Sequence, residues 1–94
     1  MAVETLPFDA AAHLASEESQ TELLNDAFET GDAAYIAAAL GTVARAKGMT
    51  QVARDAGVTR EALYKALSPD GDPKLSTLLG VAKALGVQLS VTRA

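Results

Sequence analysis

The tightest constraint on this chain is one glycine, Gly57, set between two short helical segments within residues 49–68. Thr50 is placed to cap a first helix over Gln51 to Ala56. Thr59 is placed to cap a second over Arg60 to Leu67. Glycine at the junction permits a positive φ, so the chain can turn there at little steric cost. Ala53 is small where the second helix must cross the first. Val52, Ala56, Val58, Leu63, Ala66 and Leu67 supply the inward positions. The pattern is that of a helix–turn–helix, with the outer side of the second helix left free to enter a groove.

The flanking sequence predicts more helix. Residues 1–8 read as a tail, and Asp9 to Ala15 as two short helical turns with Asp9 as N-cap. Ser19 and Glu22 have the spacing of a capping box. Leu23, Leu24, Ala27 and Phe28 follow at helical spacing, and Gly31 is placed to stop that helix. Asp32 opens the next, with Ile36, Ala39, Leu40 and Val43 inward and Gly48 at its end. Gly41 inside it costs about 1 kcal/mol relative to alanine, which fits a close contact between helices. Pro69 and the run Asp70-Gly71-Asp72-Pro73 form a turn. A last helix covers about 74–85, capped by Asp72 or Ser76, with Leu75, Leu78, Leu79, Ala82 and Leu85 inward.

After Gly86, residues 87–92 alternate apolar and polar side chains and read as a strand. A lone strand is not stable, so its simplest partner is the same strand of a second copy. The alternative is a tail that packs its apolar face on the core. The expected fold is therefore all-α: a helix–turn–helix bundle over 32–86, an acidic helical arm over 1–31, and a short C-terminal strand over 87–94 paired across a dimer.

Composition narrows the function. Ninety-four residues make one small domain with extensions. Alanine contributes 20 of them and aromatics only 4%, which favours close-packed helices over a sheet. The absence of cysteine excludes disulfides, thiolate zinc sites and cysteine nucleophiles. A single histidine, His13, excludes a multi-histidine metal site within one chain, and no cofactor is expected. No glycine-rich phosphate loop is present. Glu17, Glu18 and Glu22 suit the start of a helix, and Asp70 with Asp72 suits a turn, so no enzyme is expected. No apolar run reaches the roughly 18–20 residues that span a bilayer, and no signal peptide opens the sequence, so the expected location is the cytoplasm.

Charge is strongly divided. Residues 1–42 hold eight carboxylates and no Lys or Arg, whereas residues 43–94 hold eight Lys and Arg against four carboxylates. A net charge of −4 thus splits into −8 and +4. One half repels polyanions and the other tolerates them, which suggests two different partners. The outward residues of the second motif helix can donate to phosphates or base edges, since a major groove about 12 Å wide admits one helix. The candidate DNA contacts are Thr50, Gln51, Thr59, Arg60, Glu61, Tyr64, Lys65 and Ser68. Gln51 lies at a helix start, where its amide and the helix-end N–H groups can hold a phosphate. Arg60 and Lys65 can reach phosphates or guanine acceptors. Tyr64 suits a thymine methyl, a phosphate, or packing within the chain. Thr59 is a cap in any case, and Glu61 suits a solvated or arginine-orienting position.

The residues at 52, 53, 57, 58 and 63, with Thr50-Gln51 and the run Leu78 to Leu85, resemble the lambda repressor-like (Xre/Cro) helix–turn–helix family. A closer resemblance is to the addiction-module antidote proteins, the HigA-like antitoxins of type II toxin–antitoxin pairs. It is carried by Phe8-Asp9 with Leu14, Gly31-Asp32, Ala39-Leu40-Gly41, the runs Arg45 to Gln51 and Arg60 to Ser68, Gly71-Asp72-Pro73, and Ala84-Leu85-Gly86. These phrases span nearly the whole chain. The resemblance implies a small dimeric protein that binds operator DNA, represses its own operon and neutralises a RelE/ParE-like toxin. The acidic arm, residues 1–31, then suits the surface of a basic toxin. The rival readings are a stand-alone helix–turn–helix regulator without a toxin, and an interaction module that has lost DNA binding.

Overall fold

Five helices follow one another through residues 16–93, which are the residues the computed structural model describes. They are α1 (Glu17–Thr30), α2 (Ala33–Lys47), α3 (Met49–Ala56), α4 (Arg60–Ala66) and α5 (Leu75–Ala84). The turns expected over 9–15, the tail before them and His13 lie outside the described residues. Among the described residues the fold is all-helical.

Three of the start signals differ from expectation. Helix α1 begins at Glu17, and Ser16 is its cap: the Ser16 hydroxyl accepts from the Ser19 N–H at 3.1 Å. Ser19 therefore lies inside the first turn and not at its edge. Glu17 and Glu18 occupy that turn, where negative charge is favoured by the helix dipole. Thr50 does not cap α3. Gly48 closes α2, its N–H donating to the Ala44 carbonyl at 2.8 Å, and α3 starts at the next residue with no side-chain cap. For α5, neither Asp72 nor Ser76 is the cap. Lys74 holds that position in an extended conformation, and no side chain closes the helix start. Asp32 and Thr59 behave as expected. Asp32 accepts from the Ala34 and Tyr35 N–H groups at 3.0 and 3.4 Å. Thr59 accepts from the Ala62 N–H at 3.0 Å.

The core gathers one side of every helix. Leu40, Val43, Val52, Leu63, Leu67 and Val81 are its largest fully buried side chains. Leu24 and Ala27 bring α1 onto α2, and Met49, Val52 and Ala53 bring α3 onto α5 and α4. Helix α2 is buried more widely than its predicted face, with Ala37, Gly41 and Ala44 also enclosed. Two predicted core residues are outside it: Leu75 is 68% exposed and Leu79 is 50% exposed. Helix α5 carries apolar residues almost all round, so its periodicity does not choose an arc. Packing against α3 chooses Val81, Ala84 and Leu85, with Leu78 packed partly against them.

Gly41 has the role its sequence position suggested. A Cβ there would run into the Leu67 carbonyl oxygen at the end of α4. That obstacle is backbone and cannot swing aside. Gly41→Ala should gain about 1 kcal/mol of helix propensity but lose about 1–3 kcal/mol to overpacking. We expect a net drop in unfolding free energy of about 1 kcal/mol, read by urea denaturation.

The C-terminal residues correct another expectation. No strand forms among the described residues, so pairing of strands across a dimer has no support. Gly86 closes α5, donating to the Lys83 carbonyl at 3.0 Å, while Val87 donates to Ala82 at 2.9 Å. The chain then runs on without a ladder partner, and period-two alternation alone cannot make a strand. Val87 packs half-buried on the core, Leu89 is 38% exposed, and Val91 is 97% exposed.

One polar contact ties α1 to α2. The Tyr35 hydroxyl donates to Asp26 Oδ2 at 2.7 Å. That hydrogen bond, then burial, then the Asp26 negative charge hold the Tyr35 pKa above its ordinary value. The bond's contribution to stability is therefore present below about pH 10 and lost as pH rises through the raised folded value. Asp26→Ala should move the Tyr35 titration down toward the ordinary range. Ultraviolet titration of tyrosinate, with Tyr35→Phe identifying the step, checks this.

Candidate nucleic-acid interface

Helices α3 and α4 meet at Gly57, whose φ of 76° is the left-handed conformation its sequence position required. Its N–H closes α3 by donating to the Arg54 carbonyl at 3.2 Å, and Val58 donates to Ala53 at 3.0 Å. Two residues later the Thr59 cap starts α4. Leu63 and Leu67 anchor α4 in the core at 0% and 2% exposure. This anchoring fixes the rotation of the helix. With 100° per residue, Glu61 and Lys65 stand on the side opposite Leu63, and Arg60 and Tyr64 on one flank.

That flank faces an open cleft of about 570 Å³ lined by Arg45, Gly48, Met49, Thr50, Gln51, Arg60 and Tyr64. Four of the candidate contacts, Thr50, Gln51, Arg60 and Tyr64, are thus brought together. The Arg60 guanidinium lies over the Tyr64 ring, 5.4 Å from its centroid. Its Nη2 donates to the Tyr64 hydroxyl at 3.4 Å. A cation over an aromatic face is held by the ring quadrupole, so Tyr64 orients Arg60. The cleft also receives the start of α3. Backbone N–H groups at an uncapped helix start, with a dipole behind them, favour an anion.

The other four candidates lie elsewhere. Thr59 is exposed, but its hydroxyl is engaged in the α4 cap. Lys65 borders a different cleft, with Ala62, Asp70 and Lys74. Glu61 is exposed in the first turn of α4. Ser68 is half-buried, and its hydroxyl donates to the Lys65 carbonyl at 3.0 Å. Gln51 departs from its expected pose. Its amide Nε2 donates to both Asp55 carboxylate oxygens, at 3.0 and 3.1 Å, so it points along α3 toward the helix's C-terminal end.

Arg45 is the residue that sequence reasoning did not single out. It sits in the last turn of α2, where its Nη2 donates to Thr42 Oγ1 at 3.4 Å. Only the packing of α2 beside α3 and α4 puts it in the same cleft as Arg60. Its place in a motif-adjacent run, four residues before Met49, was the one available signal. Among the described residues no group of three or more His, Asp and Glu side chains is placed to hold a metal ion. No described helix is long and apolar enough to cross a membrane.

The profile of a family described as "Probable addiction module antidote protein" matches residues 4–93. A Haemophilus influenzae protein, described only as uncharacterized, is 49% identical over 84 residues, covering 89% of this chain and 87% of that protein. No solved structure matches.

Proposed function

Starting from the fact that the chain belongs to the family of probable addiction module antidote proteins, we propose that it is a DNA-binding antitoxin of a type II toxin–antitoxin module. In this reading it is not an enzyme. It neutralises a RelE/ParE-like, HigB-like toxin through the acidic arm, residues 1–31. As a homodimer with a lambda repressor-like helix–turn–helix, it binds operator DNA through α4 and represses its own operon in the cytoplasm. Arg60 and Arg45 hold the DNA backbone at the cleft beside α3. Glu61 and Lys65, on the outermost side of α4, face the base edges.

The observation that carries the reading is the division of charge laid on the fold. In α1 the side chains of Glu17, Glu18, Glu22, Asp26 and Glu29 are all exposed, and residues 16–42 contain no Lys or Arg. The cations begin at the end of α2 with Arg45 and Lys47, and continue with Arg54 on α3 and Arg60 and Lys65 on α4. DNA affinity depends largely on phosphate neutralisation, and a sequence pI of 4.7 opposes it. Covering the acidic half with a basic toxin removes that opposition, so toxin binding should strengthen operator binding.

The test uses the full chain, the protein encoded in the adjacent reading frame, and DNA from the shared promoter. Calorimetry should show binding between the two proteins. Fluorescence anisotropy should show tighter promoter binding by the complex than by the chain alone across a salt series. Equal affinities would remove the charge-relief step. No binding to the adjacent protein would leave the stand-alone regulator as the better reading, because the acidic arm would then have no partner.

A further inference from the structure

An apolar groove of about 340 Å³ lies where α1 meets the C-terminal segment. Leu24 and Phe28 of α1, Leu40, Leu78, Val87 and Leu89 form its walls. The alternation in residues 87–91 that suggested a strand thus serves a different end: Val87 closes the core, and Leu89 edges the groove. Along α1, Thr21, Leu24 and Phe28 form one row at helical spacing. Beside it runs a second row, Glu18, Glu22, Asn25 and Glu29, all exposed, with Asn25 itself lining the groove. An apolar slot is therefore flanked along its length by three carboxylates, in a stretch of chain without a cation.

Resting on the antitoxin reading above, we propose that this groove receives the apolar face of a cationic amphipathic helix of the toxin. The row from Thr21 to Phe28 spans about two helical turns, roughly 10 Å. That length matches a docked helix presenting apolar anchors at i, i+4 and i+7. Lys or Arg beside those anchors meets Glu18, Glu22 and Glu29. Nucleic acid is repelled by the same row. A second copy is disfavoured as well: a twofold contact sets a patch against itself, which brings two acidic α1 helices together without a cation on either.

Two variants of the full chain test this against the adjacent-frame protein by calorimetry, with wild type beside them. One is Glu18→Lys, Glu22→Lys and Glu29→Lys together, which alters only exposed side chains. The other is Leu89→Glu with Val91→Glu, both in the exposed C-terminal segment. Each should weaken the complex at least tenfold while helical circular dichroism stays at the wild-type value and the melting midpoint, which Glu18→Lys lowers slightly through the helix dipole, moves by only a few degrees. Wild-type binding with unchanged affinity in both variants overturns the groove while sparing the antitoxin reading. No binding by wild type removes that reading and the groove with it. A wild-type dimer that Leu89→Glu with Val91→Glu converts to monomer, seen by light scattering, assigns the groove to a second copy and overturns the proposal.

Discussion

Leu63→Asp is expected to abolish the cooperative thermal transition at neutral pH. Leu63 is 0% exposed and sits among Val52, Leu67, Val81 and Leu40 in the one cluster that all five helices share. Truncating such a leucine to alanine costs about 2–5 kcal/mol through lost burial and a residual cavity. Aspartate adds the cost of an unpaired carboxylate in an apolar site, which the chain can lower only by protonating it. A domain of this size has a total stability near the bottom of the roughly 5–15 kcal/mol range, so the sum reaches or exceeds what is available. Circular dichroism should show reduced helicity and a sloping, non-cooperative melt. Leu63→Met, which conserves volume, should cost under about 1.5 kcal/mol and keep a sharp transition. A sharp melt in the aspartate variant near the wild-type midpoint would place Leu63 outside the core.

The same residue explains why much of the motif was legible. Leu63, Val52 and Leu67 recur at helical spacing around a glycine that must turn, and three or four residues decide each such feature. The Asp32 and Thr59 caps are equally local, since each hydroxyl or carboxylate needs only an amide two or three residues ahead. What failed depended on neighbours further away. Ser19 has a glutamate three residues on and Ser16 does not, yet the helix opens at Ser16, whose hydroxyl takes the Ser19 N–H. Thr50 looked like a cap because Gly48 ends α2. In the fold that one glycine both ends α2 and begins α3, which leaves Thr50 inside the helix. Leu75 and Leu79 were misplaced because α5 offers apolar residues on nearly every side. Residues 87–92 have a strand's alternation, but a strand is a property of two chain segments and the fold supplies only one.

The candidate site shows the same limit. The outward face of α4 follows from its own sequence once Leu63 and Leu67 are set inward. The cleft does not, because it is built by three helices. Arg45 belongs to α2 and enters only through the α2–α3 corner at Gly48. Gln51 leaves it in part because Asp55, one turn on, offers two acceptors for its amide. A phosphate reaching the α3 start must compete with that carboxylate, or Gln51 must rotate away. The backbone N–H groups and Arg45 then become the donors best placed for the first contact.

Arg60→Ala should weaken promoter binding about 5- to 150-fold, the range expected for about 1–3 kcal/mol. Arg60 is exposed, held over Tyr64 and directed into the Arg45 cleft, so the substitution removes an oriented fork and leaves the core untouched. The melting curve should therefore match wild type, which separates this loss from that of Leu63→Asp. If Arg60 grips a phosphate, the loss is the same on promoter and unrelated DNA, and the salt slope falls by about one ion. If it reads a guanine, the promoter loses far more than unrelated DNA. The flank position of Arg60, 100° from Glu61, favours the phosphate. Arg60→Lys separates charge from shape: lysine keeps the point charge but loses the bidentate fork and the planar stacking on Tyr64. A lysine variant between alanine and wild type then measures how much the Tyr64 ring contributes by holding the arginine ready. Unchanged affinity of Arg60→Ala on every DNA would take α4 out of the interface and leave the chain as a binder of protein alone.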